Sequence, residues 1–191
     1  MTRTGATANS KENMILGEGI LSISTDEGVT FTKIGATRGG FTFNRGRGVR
    51  DIEVDGVNAG TKGLVTFDEG NPTLSGTILE VTRENLVKLI PGASLVEEVG
   101  ENDKIVVAGR IKDTDYIDVV RWQGFRVDSK VDGDIVQIDI FDCLQREPIS
   151  LVTSGEEAEI GVEFAGHYNF ANVDDEGYFE EPFAIEFIDA D

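Results

Sequence analysis

Residue types whose chemistry could define a function fall in four places in this chain. The only histidine, His167, stands in Gly166-His167-Tyr168-Asn169. A Ser-His-Asp or Cys-His machine needs a nucleophile beside its base, and no pattern here nominates one, so no catalytic residue is expected. Gly35-Ala36-Thr37-Arg38-Gly39-Gly40-Phe41-Thr42 has two glycines at the separation of a phosphate loop. Phe41 stands where the phosphate-binding lysine belongs, so these glycines are read as turn or close-packing residues. Asp128-Ser129-Lys130-Val131-Asp132-Gly133-Asp134 has Asp at positions 1 and 5 and Gly at 6 of an EF-hand-like loop. Lys130 replaces a ligand at position 3, and position 12, Asp139, falls inside a strand-like run. Residues 132–134 are therefore read as a hairpin turn, Asp174-Asp175-Glu176-Gly177 likewise as a turn, and no metal or cofactor is expected. The fourth place is Arg38 to Arg50, which holds Arg38, Arg45, Arg47 and Arg50 and no acid. Guanidinium forks pair with carboxylates as readily as with phosphates.

The elements that must position these residues are mostly strands. Period-2 alternation predicts strands at 20–24 and 29–34 around the turn Asp26-Glu27-Gly28, then at 41–43 and 50–55. Residues 73–81 follow, with Leu74, Leu79 and Val81 as the alternating set and Ile78 out of phase. Further strands are predicted at 105–111, 116–122, 135–143, 158–164 and 183–187. One helix is predicted over 82–90. Thr82 is its N-cap, Glu84 an acid in the first turn, and Pro91-Gly92 the stop. Leu86, Leu89 and Ile90 make its apolar stripe, which needs either the sheet flank or a neighbouring subunit to cover it. Many short strands with Gly, Asp and Asn turns predict a mainly β fold, an antiparallel sandwich or barrel with one short helix.

Length and charge narrow the function. The 191 residues suit a single domain, and the formal charge is −19. Residues 1–65 hold 8 basic and 7 acidic side chains, whereas residues 147–191 hold 13 acids and no Lys or Arg. Such a field opposes nucleic-acid and anionic-membrane binding. Cys143 is the only thiol, so an internal disulfide is excluded. Residues 1–13 lack the apolar stretch of a signal peptide, and no run approaches a membrane span. A soluble protein of a reducing cytoplasm is expected.

An ordered set of segments carries a family resemblance. Ile34-Gly35-Ala36-Thr37-Arg38-Gly39-Gly40, Arg50-Asp51-Ile52-Glu53-Val54-Asp55-Gly56, Lys62-Gly63-Leu64 and Leu79 to Ala93 resemble the major tail tube proteins of long, non-contractile-tailed bacteriophages. The resemblance covers about residues 15–93. It implies one small antiparallel β-sandwich with a flanking helix over 82–90. It also implies an N-terminal arm over 1–14, an extended loop over about 38–63 and an acidic C-terminal segment over about 170–191. Six such subunits would form a ring, each adding strands to an inner barrel. Rings would stack into the tube through which viral double-stranded DNA passes without specific binding. The partners implied are other copies of the chain and the tape measure, distal tail and terminator proteins, with no membrane. The place implied is the virion tail, assembled in the host cytoplasm.

Electrostatics agrees with that role, because a wall that repels phosphates does not trap the DNA it conducts. Stacking of acidic rings would need basic contacts. The expected inter-subunit or inter-ring residues are Arg38, Phe41, Phe43, Arg45, Arg47, Arg50, Leu86 and Leu89, with 147–191 of an adjacent copy as the source of carboxylates. Two other readings stay open. One is a capsid decoration or tail-completion protein. The other is a secreted β-sandwich module for calcium binding or adhesion.

Overall fold

The computed structural model describes residues 15–57, 60–97, 102–126, 135–150, 158–173, 175, 177 and 179–188. In chain order the strands are β1 (Ile15–Ser24), β2 (Thr32–Lys33), β3 (Thr37–Asn44), β4 (Val49–Asp51), β5 (Val65–Phe67) and β6 (Thr73–Ile78). Helix α1 (Arg83–Leu89) follows, then β7 (Ala93–Val96), β8 (Lys104–Val107), β9 (Ile117–Arg126), β10 (Ile135–Gln145), β11 (Ile160–Ala165) and β12 (Phe183–Ile188). The fold is mainly β with antiparallel pairing, as the alternation predicts.

Two sheets pack around the core. The first runs β2-β1-β9-β10-β12 and the second β10-β11-β6-β3, so β10 belongs to both. The strand can do this because its backbone turns left-handed at Asp142, with φ 49°. It pairs with β12 up to Ile140 and with β9 up to Cys143, and at Leu144 and Gln145 it pairs with β11. A local irregularity of this kind lets one strand turn the corner of a sandwich. Leu21, Leu74, Ile78, Ile140, Ile160 and Phe164 fill the space between the sheets with no exposure at all. No closed barrel forms among the described strands.

Several boundaries depart from the alternation. The strand expected over 50–55 is regular only at β4, and the one expected over 105–111 ends at Val107. Ile78, expected out of phase, is fully buried with Leu74, because residues four apart share a face of a strand; Leu79 and Val81 are the ones out of phase, and they lie beyond the end of β6. The turn after β1 is tied by Asp26, whose carboxylate accepts from the Ser24 and Thr30 hydroxyls and the Thr30 amide. Those bonds, the Ser24 hydroxyl's first, hold the Asp26 carboxyl down at about 2.

Helix α1 forms as its caps dictate. The Thr82 hydroxyl accepts from the Asn85 amide at 3.1 Å, and Glu84 lies in the first turn. Its stripe covers the flank of this chain's own sandwich. Leu89 is wholly buried in the core cluster, and Leu86 packs against that cluster. Asn85 adds an anchor, donating to the backbone carbonyls of Ile34 (2.7 Å) and Glu80 (3.0 Å).

Candidate interaction surfaces

Three surfaces stand out, and the first is an arm. Among the described residues, strands β4 and β5 pair only with each other and form a two-stranded ribbon apart from both sheets. Val49, Ile52, Val54, Val57, Val65 and Phe67 on it are between 44% and 63% exposed. A run of large apolar side chains of this kind is unusual on a lone soluble chain and marks an interaction surface. The loop expected over 38–63 is therefore divided. Arg38 to Asn44 lie in β3, and the arm proper begins after Arg45. Phe41 and Phe43, expected at a subunit contact, pack instead against the chain's own core, with Phe43 meeting Phe183 at 5.1 Å between ring centroids.

The base of the arm is a clamp. Arg45 and Arg47 both donate to Glu181 Oε1, at 3.1 and 3.2 Å. Arg47 also reaches the Tyr168 hydroxyl at 2.7 Å and the Asp68 carbonyl at 3.1 Å, and Tyr168 donates to Glu181 Oε2 at 2.9 Å. Both guanidinium groups lie over the Phe67 ring, at 4.6 and 5.1 Å. Burial alone would raise the Glu181 carboxyl, but the Tyr168 and Arg45 hydrogen bonds and the Arg47 charge outweigh it and hold it below the usual range. The Tyr168 phenol is pushed up, by burial first and then by Glu181. The two legs of the arm cross closely here. Gly46, at φ 76°, has no room for a Cβ against the Asn71 backbone, nor has Gly70 against the Gly46 carbonyl. The clamp opens into a groove of about 710 Å³ between Arg45, Arg47, Phe67, Tyr168, Phe179 and Glu181.

The four arginines expected to meet acids of another copy all have acids of their own chain. Arg38 pairs with Glu159, Arg45 and Arg47 with Glu181, and Arg50 with Asp68 at 3.3 Å. Two of these three acids, Glu159 and Glu181, come from the chain's own 147–191 segment. Leu89, lacking any exposure, serves this core and not a neighbour's.

The second surface is a pair of sheet edges. Among the described residues β12 pairs only with β10, so its other side is open. At the opposite end β2 covers β1 only at Ser22 and Ile23, joined by the Ile34 amide to the Leu21 carbonyl at 3.0 Å. Among the described residues no strand pairs with residues 15–20 of β1 on this side, and Glu18, Gly19 and Ile20 face residues 35–40, at the start of β3, across a groove of about 440 Å³. Along β12, Ile185 and Phe187 share the face of Val136 and Ile138 but run beyond the cover of the second sheet, at 45% and 61% exposure.

The third surface is the outer face of the first sheet, a hydrogen-bonded polar carpet. Arg121 grips Asp139 with two bonds of 2.8 Å and stacks on Phe31 at 3.8 Å. Gln123 donates to Gln137 at 3.0 Å, and Gln137 to Asp139 at 3.1 Å and Glu186 at 3.4 Å. Asp139, first of all, raises the Arg121 guanidinium.

The remaining sequence candidates do not assemble a reaction centre. The loop 128–134 lies outside the described residues. Gly35 to Gly40 border the β1 groove. His167 Nδ1 faces the Asp142 carbonyl at 3.0 Å and Nε2 faces Arg146 at 3.1 Å, with Tyr116 edge-on at 5.2 Å. Both ring nitrogens are thereby spent on the β10 corner. Burial pushes the Cys143 thiol up, and it bonds to the Ile140 carbonyl at 3.2 Å. What the sequence reading missed is the clamp, because Tyr168 and Glu181 lie more than 100 positions from the arginines. The Arg-x-Arg spacing on one side of an extended segment was its only local signal. No known protein family matches the chain, and none of the curated proteins matches it. The class defined here is an antiparallel β-sandwich with a projecting arm and, among the described residues, unpaired edges at both ends of its first sheet.

Proposed function

We propose that this chain is a structural subunit that assembles with copies of itself into rings and tubes, as the tail tube proteins of long-tailed phages do. The observation that carries this reading is that, among the described residues, both end strands of the first sheet have an unpaired side. Strands β1, β9, β10 and β12 alternate in direction, so the first and last run opposite ways. A copy placed head to tail continues the antiparallel order by laying β12 beside residues 15–20 of β1. The six residues of β12 match the six open positions. Such a heterologous contact closes into a ring when its rotation divides the circle. Closure removes edges that would otherwise template aggregation. Six copies per ring, the virion tail and the tape measure, distal tail and terminator partners follow from the family resemblance.

The polar carpet suits the wall of such a ring. Its arginine is tied to Asp139, so passing phosphates meet a face whose guanidinium is already paired. The arm suits contacts between rings, because it carries exposed apolar surface away from the sheet. The test is sedimentation of the purified full chain beside an Ile185→Lys/Phe187→Lys variant. The unaltered chain sediments as large assemblies and the variant as small species, since edge charges block strand addition. Equal sedimentation of the two would contradict edge pairing.

A further inference from the structure

The groove beside the Glu181 clamp holds charges that the clamp does not use. Glu181 is engaged at both oxygens, taking Arg45 and Arg47 on Oε1 and Tyr168 on Oε2. Arg47 commits Nε to the Asp68 carbonyl and Nη1 to Tyr168 and Glu181. Arg45 differs. Its side chain is 40% exposed, and among the described residues it makes one hydrogen bond, from Nη2 to Glu181. Most of its N–H groups are left for a further acceptor. Glu69 lines the same groove and is exposed, and among the described residues nothing donates to its carboxylate. One cation and one anion are thus unspent beside aromatic walls. Those walls are Phe67 and Phe179, 47% and 43% exposed.

We propose that this groove is a binding site for a small aromatic zwitterion, the chemical class of an aromatic α-amino acid. Its carboxylate pairs with Arg45, its ammonium with Glu69, and its ring lies against Phe67 and Phe179. The site is independent of the self-assembly reading above.

Three observations support this class of ligand. The volume, about 710 Å³, is that of a small-molecule site, with apolar walls and a few convergent polar groups. The charges select a ligand that carries both signs. A simple anion on Arg45 would also face Glu69, and a simple cation on Glu69 would face two guanidinium groups. A net-neutral ligand also escapes the repulsion that a chain of charge −19 exerts on anions. The third observation is rigidity. The close crossing of Gly46 and Gly70 with the opposite leg, and the three bonds to Glu181, hold the groove in place before a ligand arrives.

Equilibrium dialysis of the full chain tests this with four probes that share an indole ring. L-tryptophan carries both charges, indole-3-propionate the carboxylate alone, tryptamine the ammonium alone, and 3-ethylindole neither. The expected result is L-tryptophan bound about fivefold or more above each single-charge probe. Arg45→Gln removes the gap between L-tryptophan and tryptamine, and leaves the Arg47 and Tyr168 bonds to Glu181 in place. Glu69→Gln removes the gap between L-tryptophan and indole-3-propionate. Phe179→Ala weakens all four probes about tenfold. Val29→Ser, at an exposed valine outside the groove, changes none. Equal retention of the four probes by the unaltered chain, or gaps that survive both charge variants, overturns the site. Tubes built from a chain that retains no probe, dispersed or assembled, overturn the site and leave self-assembly standing. Selective retention by a chain that never assembles supports the site and counts against the tube.

Discussion

The sandwich interior and the arm use the same residue types to opposite ends. Between the sheets, Phe164, Ile140 and Leu21 have no exposure, and the chain satisfies them by itself. On the arm, Val49, Val54 and Phe67 are about half exposed, and only β4 and β5 hold each other. The first region is explained by folding. The second has no explanation in a lone chain, since a two-stranded ribbon is at best marginally stable in water. The clamp at Glu181 joins the two regions, because it lies two residues before β12 and grips both legs of the arm.

That contrast can be broken at either end. The largest effect belongs to the interior. Phe164→Ala should cost ~3–5 kcal/mol in chemical denaturation, while Val54→Ser changes stability by less than about 0.5 kcal/mol. A comparable loss for both would show that the arm is part of the folding core. Next, Asp139→Ala strands Arg121 beside a half-covered ring and should cost about 1–3 kcal/mol in the same measurement.

Smaller effects sharpen the link between the regions. Glu181→Gln should lower stability by about 1 kcal/mol at neutral pH, seen as a lower melting temperature and faster proteolysis within the arm. The sign with pH follows from its depressed carboxyl. The stabilisation is complete above the unfolded value of about 4.3 and is lost as pH falls through the folded value. Wild type and variant should therefore converge once the pH has fallen below the folded value. A gap that persists there would mean Glu181 acts through packing and not through charge. Thr82→Ala, which removes the cap of α1, should cost ~1 kcal/mol and leave the arm's proteolysis unchanged.

Legibility in the sequence follows the same division. The long strands β1, β9 and β10 and helix α1 were readable because local period and capping agree with their burial. Ile78 reads as out of phase only when Leu79 and Val81, which lie beyond the end of β6, are counted into the strand; its spacing of four from Leu74 puts the two on one face. Asn85 was passed over because its two carbonyl acceptors belong to other segments. At the arm the four arginines were visible, but not their acids, since Glu159 and Glu181 come from more than 120 positions away. Pairing across that distance is decided by the corner in β10 and the return of β12, neither of which leaves a local pattern. Leu86 and Leu89 show the converse, for a good amphipathic stripe does not say which sheet covers it.

The central claim is that this chain builds a tube from its own copies. Negative-stain electron microscopy of the purified full-length protein tests it most directly. The account predicts stacked rings or hollow tubes at moderate salt, where repulsion between acidic subunits is screened. Isolated particles of single-chain size at every concentration and salt would contradict it.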